Sequence, residues 1–149
     1  MELNAPEPMR DVMITISSTQ TVDGAGDCAE FITQGKYRAG SDGVHFFYDE
    51  SELTGLDGTC TSFFVTDDRV VMSREGSVTS RMEFQEGQRS EFSYKTPYGA
   101  LNMALDTFRI DREFDKDGGR LEIEYDLDLD RSVVSRNRFK INVKEIEGN

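Results

Sequence analysis

Histidine occurs once in this chain, at His45, and cysteine twice, at Cys28 and Cys60. A lone imidazole and two scattered thiols cannot assemble a typical zinc site. His45, flanked by Val44 and Phe46, is also the sole candidate base for a Ser/His/Asp or Cys/His arrangement, and no such arrangement is recognisable. Neither GxGxxG nor the Walker pattern is present, so no glycine-rich phosphate loop is expected. No CxxC pair occurs either. Two reduced thiols fit a cytoplasmic setting, with a Cys28–Cys60 bridge across neighbouring strands as the less favoured alternative. The first ten residues hold two prolines and two glutamates and do not read as a signal peptide. Uninterrupted apolar runs last only a few residues, too short for a transmembrane helix. Basic residues are also scarce, 17 against 29 acidic ones, for a net charge of −12. Such a surface repels nucleic-acid backbones and anionic membranes alike, and its first consequence is solubility.

What the chain does have is period-two alternation. Leu121, Ile123, Tyr125, Leu127 and Leu129 are apolar, and Glu122, Glu124, Asp126, Asp128 and Asp130 between them are all carboxylates. Arg136, Phe139, Lys140, Ile141, Val143 and Lys144 repeat the pattern with basic polar positions. Successive side chains of a strand point to opposite faces, so these are two half-buried strands, one with an acidic outer face and one with a basic one. Centring their turn on Val133 sets Asp130 opposite Arg136, Asp128 opposite Arg138, Asp126 opposite Lys140 and Glu122 opposite Lys144. Leu127 then meets Phe139, Tyr125 meets Ile141 and Ile123 meets Val143. Carboxylates along one strand face stand about 6.5–7 Å apart, too far for several to hold one calcium ion, and basic partners suit them better. Asp115-Lys116-Asp117-Gly118-Gly119 opens like a calcium loop but lacks the glutamate at the twelfth position, so it reads as a hairpin turn.

Turn signals recur every eight to fourteen residues after Met1–Met9, which reads as a loose start. Fifteen aromatics, ten Phe and five Tyr, placed periodically argue against disorder despite a mean hydropathy of −0.57. Helical periodicity is nearly absent; Glu50 to Leu56 is the best candidate for a single turn. Gly35 reads as a bulge or bend within a strand. Leu101, Met103 and Leu105 are odd-numbered whereas Phe108, Ile110 and Phe114 are even, which places a β-bulge near Asp106-Thr107. The fold class is therefore all-β: one domain, residues 11–147 behind a disordered 1–10. It holds eight to ten antiparallel strands in an up-and-down barrel, with a two-sheet sandwich as the alternative.

Tyr48-Asp49-Glu50, Ser73-Arg74-Glu75-Gly76, Thr96-Pro97-Tyr98-Gly99-Ala100-Leu101, Gly119-Arg120-Leu121 and Tyr125-Asp126-Leu127 resemble the YwiB-like family of small bacterial proteins. The resemblance spans roughly Val12 to Val143, and the Thr-Pro-aromatic-Gly-x-Leu stretch is its most specific piece; Tyr98 stands where phenylalanine is more usual. It implies a closed barrel of calycin, lipocalin-like type in a bacterial cytoplasm, and it carries over no catalytic residue.

Ten side chains are expected to point into that barrel: Phe46, Tyr48, Phe64, Met72, Met82, Phe84, Phe92, Tyr94, Leu101 and Met103. Two charges share their parity, since Glu50 follows Phe46 and Tyr48, and Arg74 follows Val70 and Met72. Buried charges need partners. Glu50 and Arg74 are thus expected to pair or to orient a ligand at the barrel mouth, beside Tyr48, Tyr94 and Thr96. The expected function is binding of a small apolar or amphipathic molecule in the barrel, without metal or cofactor. The alternative is a protein-interaction scaffold whose barrel is filled by side chains. An enzyme is not expected, for want of a nucleophile, metal site or cofactor motif. Oligomeric state is not encoded in any feature of the sequence.

Overall fold

The computed structural model describes residues 9–129 and 132–146. These form ten strands: β1 (Arg10–Val22), β2 (Ala25–Gly40), β3 (Gly43–Asp49), β4 (Cys60–Val65), β5 (Val70–Glu75), β6 (Ser80–Phe84), β7 (Arg89–Thr96), β8 (Gly99–Asp115), β9 (Gly118–Leu129) and β10 (Ser132–Glu145). The expected helical turn is a 3-10 turn at Glu52–Thr54, capped by the Ser51 side chain, which accepts from the Leu53 N–H. Met1 to Pro8 of the expected loose start lie outside the described residues. Arg10, assigned to that segment, instead opens β1: it pairs with Tyr37 of β2, and its guanidinium meets Glu145 at 2.6 Å.

All pairings are antiparallel, in the order β6-β5-β4-β3-β2-β1-β10-β9-β8-β7. Apart from β6 and β7, each strand pairs with the next in sequence, and β1 also pairs with β10, so the meander curls into a nearly closed barrel rather than a sandwich. Its seam lies between β6 and β7. There Thr79 and Lys95 exchange backbone hydrogen bonds at 3.0 and 2.9 Å while the rest of the two strands stays unzipped. Two-residue turns make most of the hairpins tight. Asp23-Gly24, at φ 51° and 81°, supplies the left-handed pair that matches strand twist between β1 and β2. No helix among the described residues is long and apolar enough to cross a membrane.

Alternation places the core as expected along β1 (Val12, Ile14, Ile16), β9 (Leu121, Ile123) and β10 (Phe139, Ile141, Val143), all buried. Phe64 is a correction. Phe63 points in instead, because Thr61, Phe63 and Val65 share the buried parity of β4. Of the bulge or bend expected at Gly35, the bulge is absent, for the ladder to β1 runs through it in unbroken register. A Cβ there would lie 2.4 Å from the Phe47 carbonyl oxygen and 2.6 Å from Ile14 Cδ1, so the glycine permits close approach of backbones. The β2–β3 ladder starts only beyond it, at Lys36 opposite Phe47. Cys28 on β2 and Cys60 on β4 are free thiols, with β3 between their strands.

The bulge expected near Asp106-Thr107 lies at Phe108, between the pairs Thr107–Tyr125 and Arg109–Glu124. Phe108 itself is not carried into the core. As the extra residue it stays half exposed, 4.8 Å beneath the Arg136 guanidinium. Leu101 is likewise 47% exposed.

The β9–β10 register differs from expectation by four residues. Arg136 faces Asp126, Arg138 faces Glu124 and Lys140 faces Glu122; Phe139 meets Ile123 and Ile141 meets Leu121. Asp128 faces Val133, and its carboxylate pairs with Arg89 of β7 at 2.8 Å rather than with Arg138. Asp130, expected opposite Arg136, lies outside the described residues. The cause is the hairpin's end. Ser132 pairs with Leu129, an offset that would set odd positions against even ones, and a bulge between Val133 and Ser135 restores odd against odd. The shift is even overall, so apolar still meets apolar and acid still meets base. Exchanging the charges of Asp126 and Arg136 should therefore leave the fold intact. Arg136→Glu alone should cost about 0.2–1 kcal/mol, less at high salt, as read from urea denaturation at two ionic strengths.

Candidate functional site

Ten strands make a wider ring than eight, and side chains fill only one end of it. At that end Phe46 stacks on Phe63 at 5.0 Å and touches Tyr37 and Phe114 at 6.4 and 6.0 Å. Arg112 straps the same end, donating to the carbonyls of Thr66 and Asp67 in the β4–β5 turn. Toward the other end the lumen opens into a cavity of about 520 Å³. Its apolar wall includes Phe31, Met72, Met82, Phe92, Leu101 and Met103, and its polar groups include Gln20, Tyr48, Glu50, Arg74, Tyr94 and Asn137.

Four of the five expected site residues meet there. Tyr48 and Glu50 come from the end of β3, Arg74 from the end of β5 and Tyr94 from β7. Thr96 does not join them. It ends β7, and its hydroxyl serves the turn, donating to the Gly99 carbonyl at 3.1 Å and accepting from the Tyr98 N–H at 3.1 Å.

Glu50 is the anchor of the group, with a side chain only 1% exposed. Its Oε2 accepts from the Thr61 hydroxyl at 2.5 Å and its Oε1 from the Thr54 hydroxyl at 2.9 Å. Arg74 Nε lies 3.9 Å from Glu50 Oε2 and donates to Thr61 Oγ1 at 3.4 Å. The expected pair is thus present, held through a threonine that the sequence reading passed over. Thr61 stands directly opposite Tyr48 in the β3–β4 ladder. Its inward direction was hidden because Phe63 and Phe64 give β4 an apolar residue on each face. Val65, on the same parity as Thr61 and Phe63, is the signal that resolves it. His45 lies away from this group, against Phe47 and Phe64 with ring centroids at 5.7 and 6.4 Å. Burial lowers the His45 pKa, and nearby Arg38 lowers it further.

The model for a domain of unknown function, DUF1934, matches residues 14–141, from Ile14 of β1 to Ile141 of β10. The chain belongs to this family. Within it the chain is similar to the uncharacterized beta-barrel protein YwiB of Bacillus subtilis (strain 168), 28% identical over 116 residues, which cover 78% of this chain and 80% of that one. The crystal structure of the ywiB protein from Bacillus subtilis superposes with a TM-score of 0.86 over 99% of both chains at 24% identity, a likeness of fold.

Buried phenols mark this DUF1934 barrel electrostatically. Burial, then the Glu50 charge, raises the Tyr48 pKa well above the usual tyrosine value. Burial lifts Tyr125 to about 12, opposed by the Arg74 charge, so that guanidinium is felt from both β3 and β9. Tyr37, which donates to the Asp115 carbonyl at 2.5 Å, is raised to about 12 by burial and by the Asp115 and Asp117 charges. A raised folded-state pKa means the native chain holds these protons more tightly than the unfolded one. Their contribution is complete below the ordinary value of 10.0 and is lost as pH rises toward 12. Stability should therefore fall across that window, and less steeply in Tyr37→Phe, as read from denaturation midpoints against tyrosinate absorbance.

Proposed function

We propose that this protein binds a small apolar or amphipathic molecule in the open end of its barrel. The observation that carries the reading is the cavity of about 520 Å³, largely apolar and open at one end, with a few convergent polar groups. Its size lies within the roughly 300–1,000 Å³ of small-molecule sites. The side-chain-filled scaffold draws support from the aromatic plug at the other end, but that plug leaves the Tyr48–Arg74–Tyr94 region open. Binding rather than catalysis is favoured because the site gathers one carboxylate already engaged by two hydroxyls, the guanidinium groups of Arg74 and Arg138, and several phenols. The acidity of the chain supports a partner other than nucleic acid.

Native mass spectrometry of protein purified from its own host tests this. A co-purifying small molecule, released on denaturation, is the expected result. Protein at its bare mass that also takes up no apolar dye would overturn the proposal.

A further inference from the structure

Arg74 is held from behind. Its Nε faces Thr61 and Glu50, whereas among the described residues its two terminal nitrogens make no hydrogen bond, although the side chain lines the cavity and is 22% exposed. Glu50 cannot turn to meet a ligand, because both oxygens are occupied and its side chain is almost fully buried. The cavity thus combines an apolar wall, formed by Met82, Phe92, Leu101 and Met103, with a cationic fork held in place from behind. A planar guanidinium presenting two parallel N–H donors is matched by a carboxylate, which accepts both at once, while an alcohol or amide satisfies at most one.

We infer that the ligand is an amphipathic carboxylate, its head seated on the terminal nitrogens of Arg74 and its chain lying along Phe92, Leu101 and Met103. The inference rests on the ligand-binding reading and narrows it to one chemical class. A chain with a net charge of −12 repels anions at long range, so preference for an anionic head must come from a local cation. Arg138 also lines the cavity, but its guanidinium already faces Glu122 at 3.9 Å, which leaves Arg74 as the better seat.

The test is displacement of a neutral, environment-sensitive apolar dye from the full chain by dodecanoate, dodecanol and dodecylamine, whose tails match and whose heads differ. Dodecanoate should displace at a concentration about tenfold below dodecanol, with dodecylamine weakest. In Arg74→Gln the dodecanoate advantage over dodecanol should collapse, and Arg74→Lys should restore part of it. The three-ligand comparison is made on the unaltered chain and does not depend on the stability of either variant. Dodecanol or dodecylamine competing as well as dodecanoate would overturn the carboxylate inference and leave the cavity reading standing. Failure of the dye to bind at all would remove both.

Discussion

Alanine at Phe46 should cost the barrel about 3–5 kcal/mol, the range for deleting a fully buried aromatic side chain. Phe46 has no exposed surface and stacks between Phe63 and Tyr37 with Phe114 alongside, so truncation leaves a void walled by rigid rings that cannot easily collapse. That is a large share of the roughly 5–15 kcal/mol that holds a domain together. Leu101→Ala, at the open end and 47% exposed, should cost less than about 1 kcal/mol. The contrast, read from urea denaturation with unchanged slopes, maps which end of the barrel carries stability. Equal losses at both positions would contradict the division into a plugged end and an open one.

Arg74→Met should lower stability by roughly 3 kcal/mol, because it strands a carboxylate that is almost wholly out of water. The Thr54 and Thr61 hydroxyls soften the loss, as does the partial exposure of Arg74 itself. Adding Glu50→Gln should recover part of it, since a neutral amide needs no counter-charge. Thermal melts of the single and double variants separate these contributions. Equal, near-zero shifts would mean that the two charges are solvated independently.

Most of the architecture was legible because period-two alternation is a strong local signal: it placed β1, β9 and β10 face by face and located the β8 bulge to within a residue or two. Register was less legible. It depends on the turn geometry after Leu129 and on a bulge between Val133 and Ser135, neither of which has an alternation signature, and cross-strand charges tolerate an even slip without penalty. At the site, the parity of Glu50 and Arg74 with their apolar neighbours correctly brought two distant charges together. Thr61 was missed because consecutive phenylalanines erased the face of β4. Thr96 was overvalued because parity says nothing of a hydroxyl consumed by its own turn.

The pairing of β1 with β10 has a consequence for biogenesis. The first strand of the barrel finds its second partner only when β10 has been made, so Ile14 must wait for Val143 while β2 to β9 are synthesised. Until then β1 offers an open edge, a template for intermolecular pairing. Closing so long a loop is also slow compared with folding the adjacent hairpins. A nascent chain arrested before β10 would lack a strand from the middle of the sheet rather than from its margin. Between its two arcs, β1–β6 and β7–β9, strand pairing would be limited to the sparse seam at Thr79 and Lys95. Arrival of β10, paired on one side with β1 and on the other with β9, is the step that joins the two arcs into one sheet.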